Sequence, residues 1–419
     1  MSRAMKPSGI EWIGDIPEGW EVKRLRYFCK ILTGNKDTVN REPRGLYPFY
    51  VRSPMVERIN SYSYDGEAIL MAGDGVGAGR VFHYVNGKFD YHQRVYNLHK
   101  FNKIAAKFLF YYLQENFKKE IDQSNAKSTV DSIRLPMLLN FPIAICDLQV
   151  QERIIDYLDE KCELIDSAIE RQKTAIEKLK LYKQSVITEA VTKGLDPTLS
   201  MKPSGIEWIG DIPKEWEYCR LRYNTYLKGR IGWQGLKASE FIDEGPYLVT
   251  GTDFKDGNIN WSTCYHISDE RYEEAPEIHL ALGDLLITKD GTVGKLAYIS
   301  YLPDKTSLNS HLLLLRPKNS KFINKFLFWV LSSENFKIYI GLSQDGTIME
   351  SLSQEKISNF SFSLPPLPEQ QAIADYLDKK CAQIDQTIEL KEKLIEKLSD
   401  YKKSLIYECV TGKREVKTA

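Results

Sequence analysis

Twenty-three residues occur twice in this chain. Met5 to Tyr27 reads MKPSGIEWIGDIPEGWEVKRLRY, and Met201 to Tyr223 reads MKPSGIEWIGDIPKEWEYCRLRY. The copies differ only at positions 18/214, 19/215, 22/218 and 23/219. A second duplication lies at another offset: residues 156–193 match 375–412 without a gap, 219 residues on. Between these matched stretches the sequence diverges widely. A period of about 200 residues is far longer than a solenoid repeat, so the chain reads as a duplicated domain pair. Near-identical ends with unlike middles predict two different surfaces presented by one framework. At 419 residues the chain is long enough for two or three domains, each with its own core.

The second duplication carries a heptad seam. Leu158, Cys162, Ile165, Ile169, Gln172, Ile176, Leu179, Lys183, Val186 and Ala190 alternate spacings of four and three. Leu377, Cys381, Ile384, Ile388, Lys391, Ile395, Leu398, Lys402, Leu405 and Cys409 repeat the register. Five heptads of this kind predict a coiled coil, and about 40 residues make a rod of roughly 60 Å. Gly194 with Asp196-Pro197 stops the first helix and Gly412 the second. Because both helices carry one seam in one register, their simplest partners are each other. An antiparallel pair gives the chain an internal pseudo-twofold, with the two middles at opposite ends of the rod. The polar seam positions, Gln172/Lys391 and Lys183/Lys402, then fix register and orientation at some cost in stability. Two helices in separate bundles are the alternative.

Each middle begins after an Arg-Leu-Arg-Tyr strand-like exit and contains short apolar segments broken by Gly, Pro, Asn and Asp, a pattern for a β-rich core. Ala68 to Met71 and Asp284 to Thr288 are examples. Later in each middle comes a helix with an apolar stripe, Lys107 to Leu113 and Lys325 to Leu331, read as core. The glycine-rich runs Gly73 to Arg80 and Lys289 to Lys295 invite a phosphate-loop reading, but the segment after each run is β-like. A nucleotide fingerprint opens a helix instead, so both runs predict strand-loop-strand turns.

Composition removes several classes of function. The longest apolar runs fall short of the roughly 18 residues of a membrane span, and the start of the chain lacks a hydrophobic signal region. Seven cysteines, none in a CxxC pair, read as reduced residues of a cytosolic protein without a zinc site. The six histidines make no metal-binding spacing, and no GK[ST] triplet, amino-methyltransferase signature or methyl-donor glycine motif occurs. Net charge is zero but unevenly spread: +6 over residues 21–149 and −2 over 217–368. Bulk charge alone therefore does not make this chain a nucleic-acid binder; local patches must.

Such patches are present. In the first middle Lys36, Arg41, Arg44 and Arg52 surround Tyr47 and Tyr50, with Arg80, His83, Tyr84, Lys88, His92 and Arg94 further on. In the second, Lys228, Arg230, Trp233, Gln234 and Lys237 form one run, with Thr252, Lys289, Lys295, Asn309 and His311 behind it. Clustered Arg, Asn, Gln and aromatics on Gly/Pro-rich loops suit phosphate positioning and base-edge reading.

The repeated Lys-Pro-Ser-Gly-Ile-Glu-Trp-Ile-Gly-Asp-Ile-Pro resembles the start of specificity (S) subunits of type I restriction-modification systems. Leu364 to Asp378 resembles the approach to that family's helices, and so does the run Gly283 to Thr288 continuing to Gly291 and Gly294. The likeness spans essentially the whole chain. The first half departs from it at Asp147 to Glu152, where DLQVQE stands for the family's PLPEQQ, and in its glycine loop.

The resemblance implies an α+β chain: two globular mixed α/β target recognition domains separated by two long helices forming an antiparallel coiled coil. The expected division is 1–149 for the first domain with its anchor, 150–194 and 369–412 for the helices, 195–368 for the linker and second domain, and 413–419 for the tail. It implies that each domain reads half of a split double-stranded DNA target while the helices set the spacer and dock two methyltransferase (M) subunits, which restriction (R) subunits join. Adenine methylation and DNA cleavage then belong to those partners. S-adenosylmethionine, ATP and magnesium are expected there, with no cofactor or metal on this chain and a cytoplasmic location. The competing class is a coiled-coil scaffold whose two heads bind proteins. Salt separates the two, because a phosphate-dominated complex weakens steeply as salt rises.

Overall fold

The computed structural model describes residues 3–124, 132–230, 235–342 and 352–417. Two compact units divide the chain: Met1–Lys173 with Glu392–Ala419, and Thr174–Lys391.

In the first unit the anchor folds as a small hairpin, Met5–Pro7 against Asp15–Pro17. Its apolar residues Trp12, Ile13, Ile16 and Trp20 enter the core, where Trp12 stacks on Phe141 at 5.8 Å. The anchor then leads into a strand, Glu21–Arg24, paired with Pro142–Ile145. The strand-like exit stops at Arg24. Leu25 N–H still bonds the Phe141 carbonyl (2.9 Å), but Leu25–Tyr27 closes a 3-10 turn that buries Leu25 and exposes Arg26 and Tyr27. The equivalent Leu221–Asn224 is likewise one helical turn.

The first middle is one six-stranded sheet. Its order is Lys30–Thr33, Val95–His99, Tyr64–Ala72, Phe82–Tyr91, Tyr47–Tyr50 and Val56–Ile59. Tyr64–Ala72 is antiparallel to both its neighbours, so the strand before it and the strand after it start at the same end. Phe82–Tyr91 is ten residues long, about 33 Å if straight, yet only three residues separate it from Val95. The strand must therefore curl back. Gly66 and Gly87, directly opposite each other, take φ 136° and 120°, a conformation closed to residues with a Cβ, and supply the bend. The curl brings the end of that strand to the edge where the glycine loop lies.

The second unit reaches the same result by interruption. Leu285–Thr288 pairs with Leu296–Tyr298, the chain leaves the ladder, and Thr306–Leu308 then pairs in parallel with Ile242–Val249. One sheet in the first unit accordingly corresponds to a four-stranded and a three-stranded sheet in the second. Both glycine runs are strand-loop-strand turns. The aromatic stripes are core: Phe108, Leu109, Tyr112 and Leu113 in one unit, and Phe326, Leu327, Val330 and Leu331 in the other, are all buried.

The long helices run Leu148–Lys193 and Leu367–Val410. In the first unit Leu158, Cys162 and Ile165 share a core with Leu405, Ile406, Cys409 and Val410, with Ile169 and Leu398 packed against it. In the second, Ile187, Ala190 and Val191 meet Ile373, Ala374, Leu377 and Cys381, with Val186 beside them. Each unit thus holds the beginning of one helix against the end of the other, the antiparallel pairing the seam predicts. Ile384 and Ile176 are also buried, while Leu179, Ile388 and Ile395 are half-buried. Lys402 and Lys183 turn out of the seam to Asp166 and Asp385.

A buried glutamine fixes the start of each helix. Gln151 accepts from Ala105 N–H (2.9 Å) and donates to the Lys103 and Cys146 carbonyls. Gln370 accepts from Ile323 N–H (3.0 Å) and donates to the Lys321 and Pro365 carbonyls. DLQVQE and PLPEQQ therefore do one job, because the glutamine keeps its place while its neighbours change.

Candidate nucleic-acid interface

The curl of the first sheet gathers four segments at one edge: residues 34–37, 50–53, 73–80 and 92–94. His92 N–H bonds the Tyr50 carbonyl (2.9 Å), Gln93 N–H the Lys36 carbonyl (2.8 Å), and Gly73 N–H the Arg94 carbonyl (2.8 Å). Close approach demands glycine at Gly77, where a Cβ would lie 2.3 Å from the Arg52 carbonyl oxygen.

On this frame sits a charged cluster. Asp74 accepts from Arg52 Nη1 at 3.2 Å and faces Arg94 Nε at 3.6 Å, and both arginines remain largely exposed. Asp37 accepts from Gln93 (2.7 Å) and lies 3.8 Å from His92 Nε2. Arg94 N–H donates to His92 Nδ1 (2.9 Å), so that nitrogen is an acceptor and the neutral ring carries its proton on Nε2. Burial, and then the Arg52 charge, push the His92 imidazole below its ordinary pKa. Burial does the same to His83, whose ring lies 5.0 Å from that of Tyr50 and whose Nε2 is 3.3 Å from the Ser53 carbonyl.

Of the sequence candidates, Lys36, Arg52, His83, His92 and Arg94 come together here. Arg80 lies exposed at the end of the glycine loop. Arg41 pairs across the sheet edge with Glu57 (3.5 Å), and Arg44 is exposed on the turn before Tyr47. Lys88 sits over the Tyr62 ring, 4.7 Å away. Tyr84 is elsewhere: it donates to Glu67 (2.6 Å), packs by Phe110 and lies under Lys107. Burial and the Glu67 acceptor push its hydroxyl up to about 12.

The second unit builds the same edge. Asn309 N–H bonds the Val249 carbonyl (3.0 Å), Lys289 N–H the His311 carbonyl (2.9 Å), and Gly294 N–H the Thr288 carbonyl (2.9 Å). These repeat the bonds His92 to Tyr50, Gly73 to Arg94, and Gly79 to Ala72 (3.1 Å). His311 N–H donates to Asn309 Oδ1 at 3.0 Å, as Arg94 N–H does to His92. His311 Nδ1 faces Asp290 Oδ2 at 3.2 Å, as Arg94 faces Asp74. The correspondence is residue by residue: Asn309 stands for His92, His311 for Arg94, Asp290 for Asp74, and Gly251 for Arg52.

Thr252, Lys289, Asn309 and His311 gather at this edge, where Thr252 Oγ1 is 2.7 Å from Thr250 Oγ1, itself held by Asp253. Lys295 is exposed at the loop's end. Arg230 is not on the surface. It is 4% exposed, with Nε bonded to the Leu308 carbonyl and Nη2 to Ser307 Oγ. The physical reason is that a chain crossing at this point needs its buried carbonyl satisfied; the first unit has Gly34 packed on the Tyr91 and His92 carbonyls there. Lys228 lies over Tyr226, and Lys237 is exposed beside Glu240. Trp233 and Gln234 lie outside the described residues.

Asp37, Asp74 and Asp290 are not among the sequence candidates, which are cations, amides, aromatics and Thr252. The signal was there: both glycine loops contain Asp-Gly at the matching place. Among the described residues no His/Cys/Asp/Glu group is arranged to hold a metal ion, and no helix is long and apolar enough to cross a membrane. The cysteines are unpaired, and burial raises their thiols, Cys29 to about 12, away from nucleophilic character.

The family model described as the type I restriction modification DNA specificity domain matches residues 17–180 and again 233–400. The chain is 28% identical to the type I restriction enzyme MjaVIII specificity subunit of Methanocaldococcus jannaschii, over 96% of this chain and 94% of that one. It is 24% identical to the EcoDI specificity subunit of Escherichia coli, over 90% and 84%. Among solved structures, a chain from a study of assembly and conformational transition in the type I R-M system matches with TM-score 0.71. It is 17% identical and covers 94% of this chain and 98% of its own. The HsdS subunit of Thermoanaerobacter tengcongensis matches at 0.52, with 18% identity over 95% and 98%.

Proposed function

Because the chain belongs to the type I restriction-modification DNA specificity family, we infer that it is the sequence-reading subunit of such a system, with each unit reading one half of a split, asymmetric DNA target. The observation that carries this reading is the repeated edge. One set of backbone hydrogen bonds occurs in both units, and the side chains mounted on it differ: Arg52, His92 and Arg94 in one, Gly251, Asn309 and His311 in the other. A shared frame with unlike exposed polar groups suits a shared task with unlike targets. The family is one of DNA specificity domains, which disfavours the protein-binding scaffold.

On this reading methyl transfer and cleavage reside in partner subunits in the cytoplasm: two methyltransferase subunits docked on the long helices, joined by restriction subunits. S-adenosylmethionine, ATP and magnesium serve those partners. The long helices fix the spacer between the half-targets. The zero net charge of the whole chain leads to weak DNA binding by the chain alone and stronger binding with its partners.

The test is an exchange. Residues 28–141 are replaced by the corresponding middle of another specificity subunit, and the methylated sequence is read. One half of the motif should change and the other persist. Alteration of both halves, or of neither, contradicts the reading.

A further inference from the structure

We propose that Arg94 and His311 are matching base-reading residues, one for each half of the target, and that Asp74 and Asp290 are the positioning residues that aim them. This deepens the DNA-reading function above and rests on it. Four independent bonds establish that the two positions are equivalent. The Arg94 and His311 carbonyls each accept from the first residue of the glycine loop, Gly73 (2.8 Å) and Lys289 (2.9 Å). Their N–H groups each donate to the side chain two residues back, His92 (2.9 Å) and Asn309 (3.0 Å). Each side chain then faces the aspartate next after the loop's first residue.

The geometry says what each can read. Asp74 lies at the Nε side of Arg94, 3.6 Å away, and also accepts from Arg52 (3.2 Å), which holds the carboxylate in place. That leaves the outer Nη1/Nη2 edge of an arginine whose side chain is 65% exposed. A planar fork offering two parallel N–H donors matches guanine O6 and N7. His311 is 62% exposed and has Nδ1 turned to Asp290 at 3.2 Å, so its outward nitrogen is Nε2. With Nδ1–H donating to the Asp290 carboxylate, the neutral ring leaves Nε2 as a single acceptor, which suits one base amino group and cannot form the two-donor guanine contact. The acids do not read bases. They restrict the torsions of the readers before DNA arrives, which lowers the ordering cost of each contact.

The test uses the complex of the chain with its methyltransferase subunit. Duplex libraries are randomised across one half of the target at a time, and R94H and H311R exchange the two readers. R94H should lose preference for one guanine in one half by at least about tenfold, with the other half unchanged. H311R should shift preference at one base pair of the other half toward guanine. D74N should blunt discrimination at the Arg94 position alone while leaving the unfolding midpoint unchanged, which a purely structural aspartate would not do. Should R94H fail to fold, R94K is read in its place: it keeps the charge, loses the fork, and should weaken the same guanine. Unchanged preferences, changes in both halves, or complete loss of selection in a folded variant overturn the proposal. A wild-type complex that selects no two-part sequence overturns the underlying DNA-reading function instead.

Discussion

Lys402 Nζ lies 2.7 Å from Asp166 Oδ2 in one unit, and the residues 219 positions away, Lys183 and Asp385, meet at 2.6 Å in the other with the helices' roles exchanged. The seam beside each pair supplies most of the holding energy. A fully buried Leu or Ile contributes about 1.5–3 kcal/mol, whereas a partly exposed ion pair contributes about 0–1 kcal/mol. The ion pairs therefore choose register and direction more than they add stability.

Charge reversal checks this assignment. D166K or K402D alone should lower stability by up to about 1 kcal/mol, and the double reversal D166K/K402D should recover most of it. A double-mutant cycle in urea gives the coupling, and additive losses would remove the register role.

Gln151 should be far less tolerant than its neighbour. Q151L leaves the Ala105 N–H and the Lys103 and Cys146 carbonyls without their partner, at a cost of about 2–3 kcal/mol. Gln149 is exposed, so Q149L should stay within about 0.5 kcal/mol. Thermal or urea midpoints of the two variants decide it.

The first unit should lose stability in mild acid. His92 has its pKa lowered in the folded state by burial and by Arg52. The unfolded chain therefore binds protons more readily, and the stabilising contribution is full above the ordinary histidine value near 6.5 and lost as pH falls from there through the lowered folded-state value. H92N should flatten this dependence while keeping the turn, because Asn309 makes the same bond to the residue two ahead in the second unit. His83 and His99 are lowered too, so part of the slope should persist. Stability of both proteins from pH 5 to 8 gives the comparison.

Salt should expose the electrostatic share of DNA binding. With exposed Arg52 on a phosphate, R52A should reduce the slope of log K against log salt by about 1 and weaken all sequences, with a further loss of discrimination only at the base read by Arg94, because Asp74 loses its second partner. The second unit has Gly251 there, so G251R should raise that unit's affinity without changing its preferred bases. Titrations at several salt concentrations check both.

Periodicity made the helices, their seam and their pairing legible, because the same heptad occurs twice in one register. The duplicated anchors likewise marked two equivalent units. The curled sheet was not legible: it depends on Gly66 meeting Gly87 across a ladder, and register between distant strands leaves no local mark. For the same reason Arg230 resembled a surface cation. Its burial is set by the Leu308 carbonyl, 78 residues away in sequence. The aspartates carry no mark of a phosphate contact in the sequence, because an acid acts here only through the arginine or histidine it holds.

The most direct test is a single-molecule methylome of cells expressing this chain with its neighbouring methyltransferase subunit, set against cells lacking the chain. A new, asymmetric, two-part adenine-methylated motif that depends on the chain is the predicted result. No new motif, despite a stable purified complex of the two proteins, would contradict a DNA-reading function.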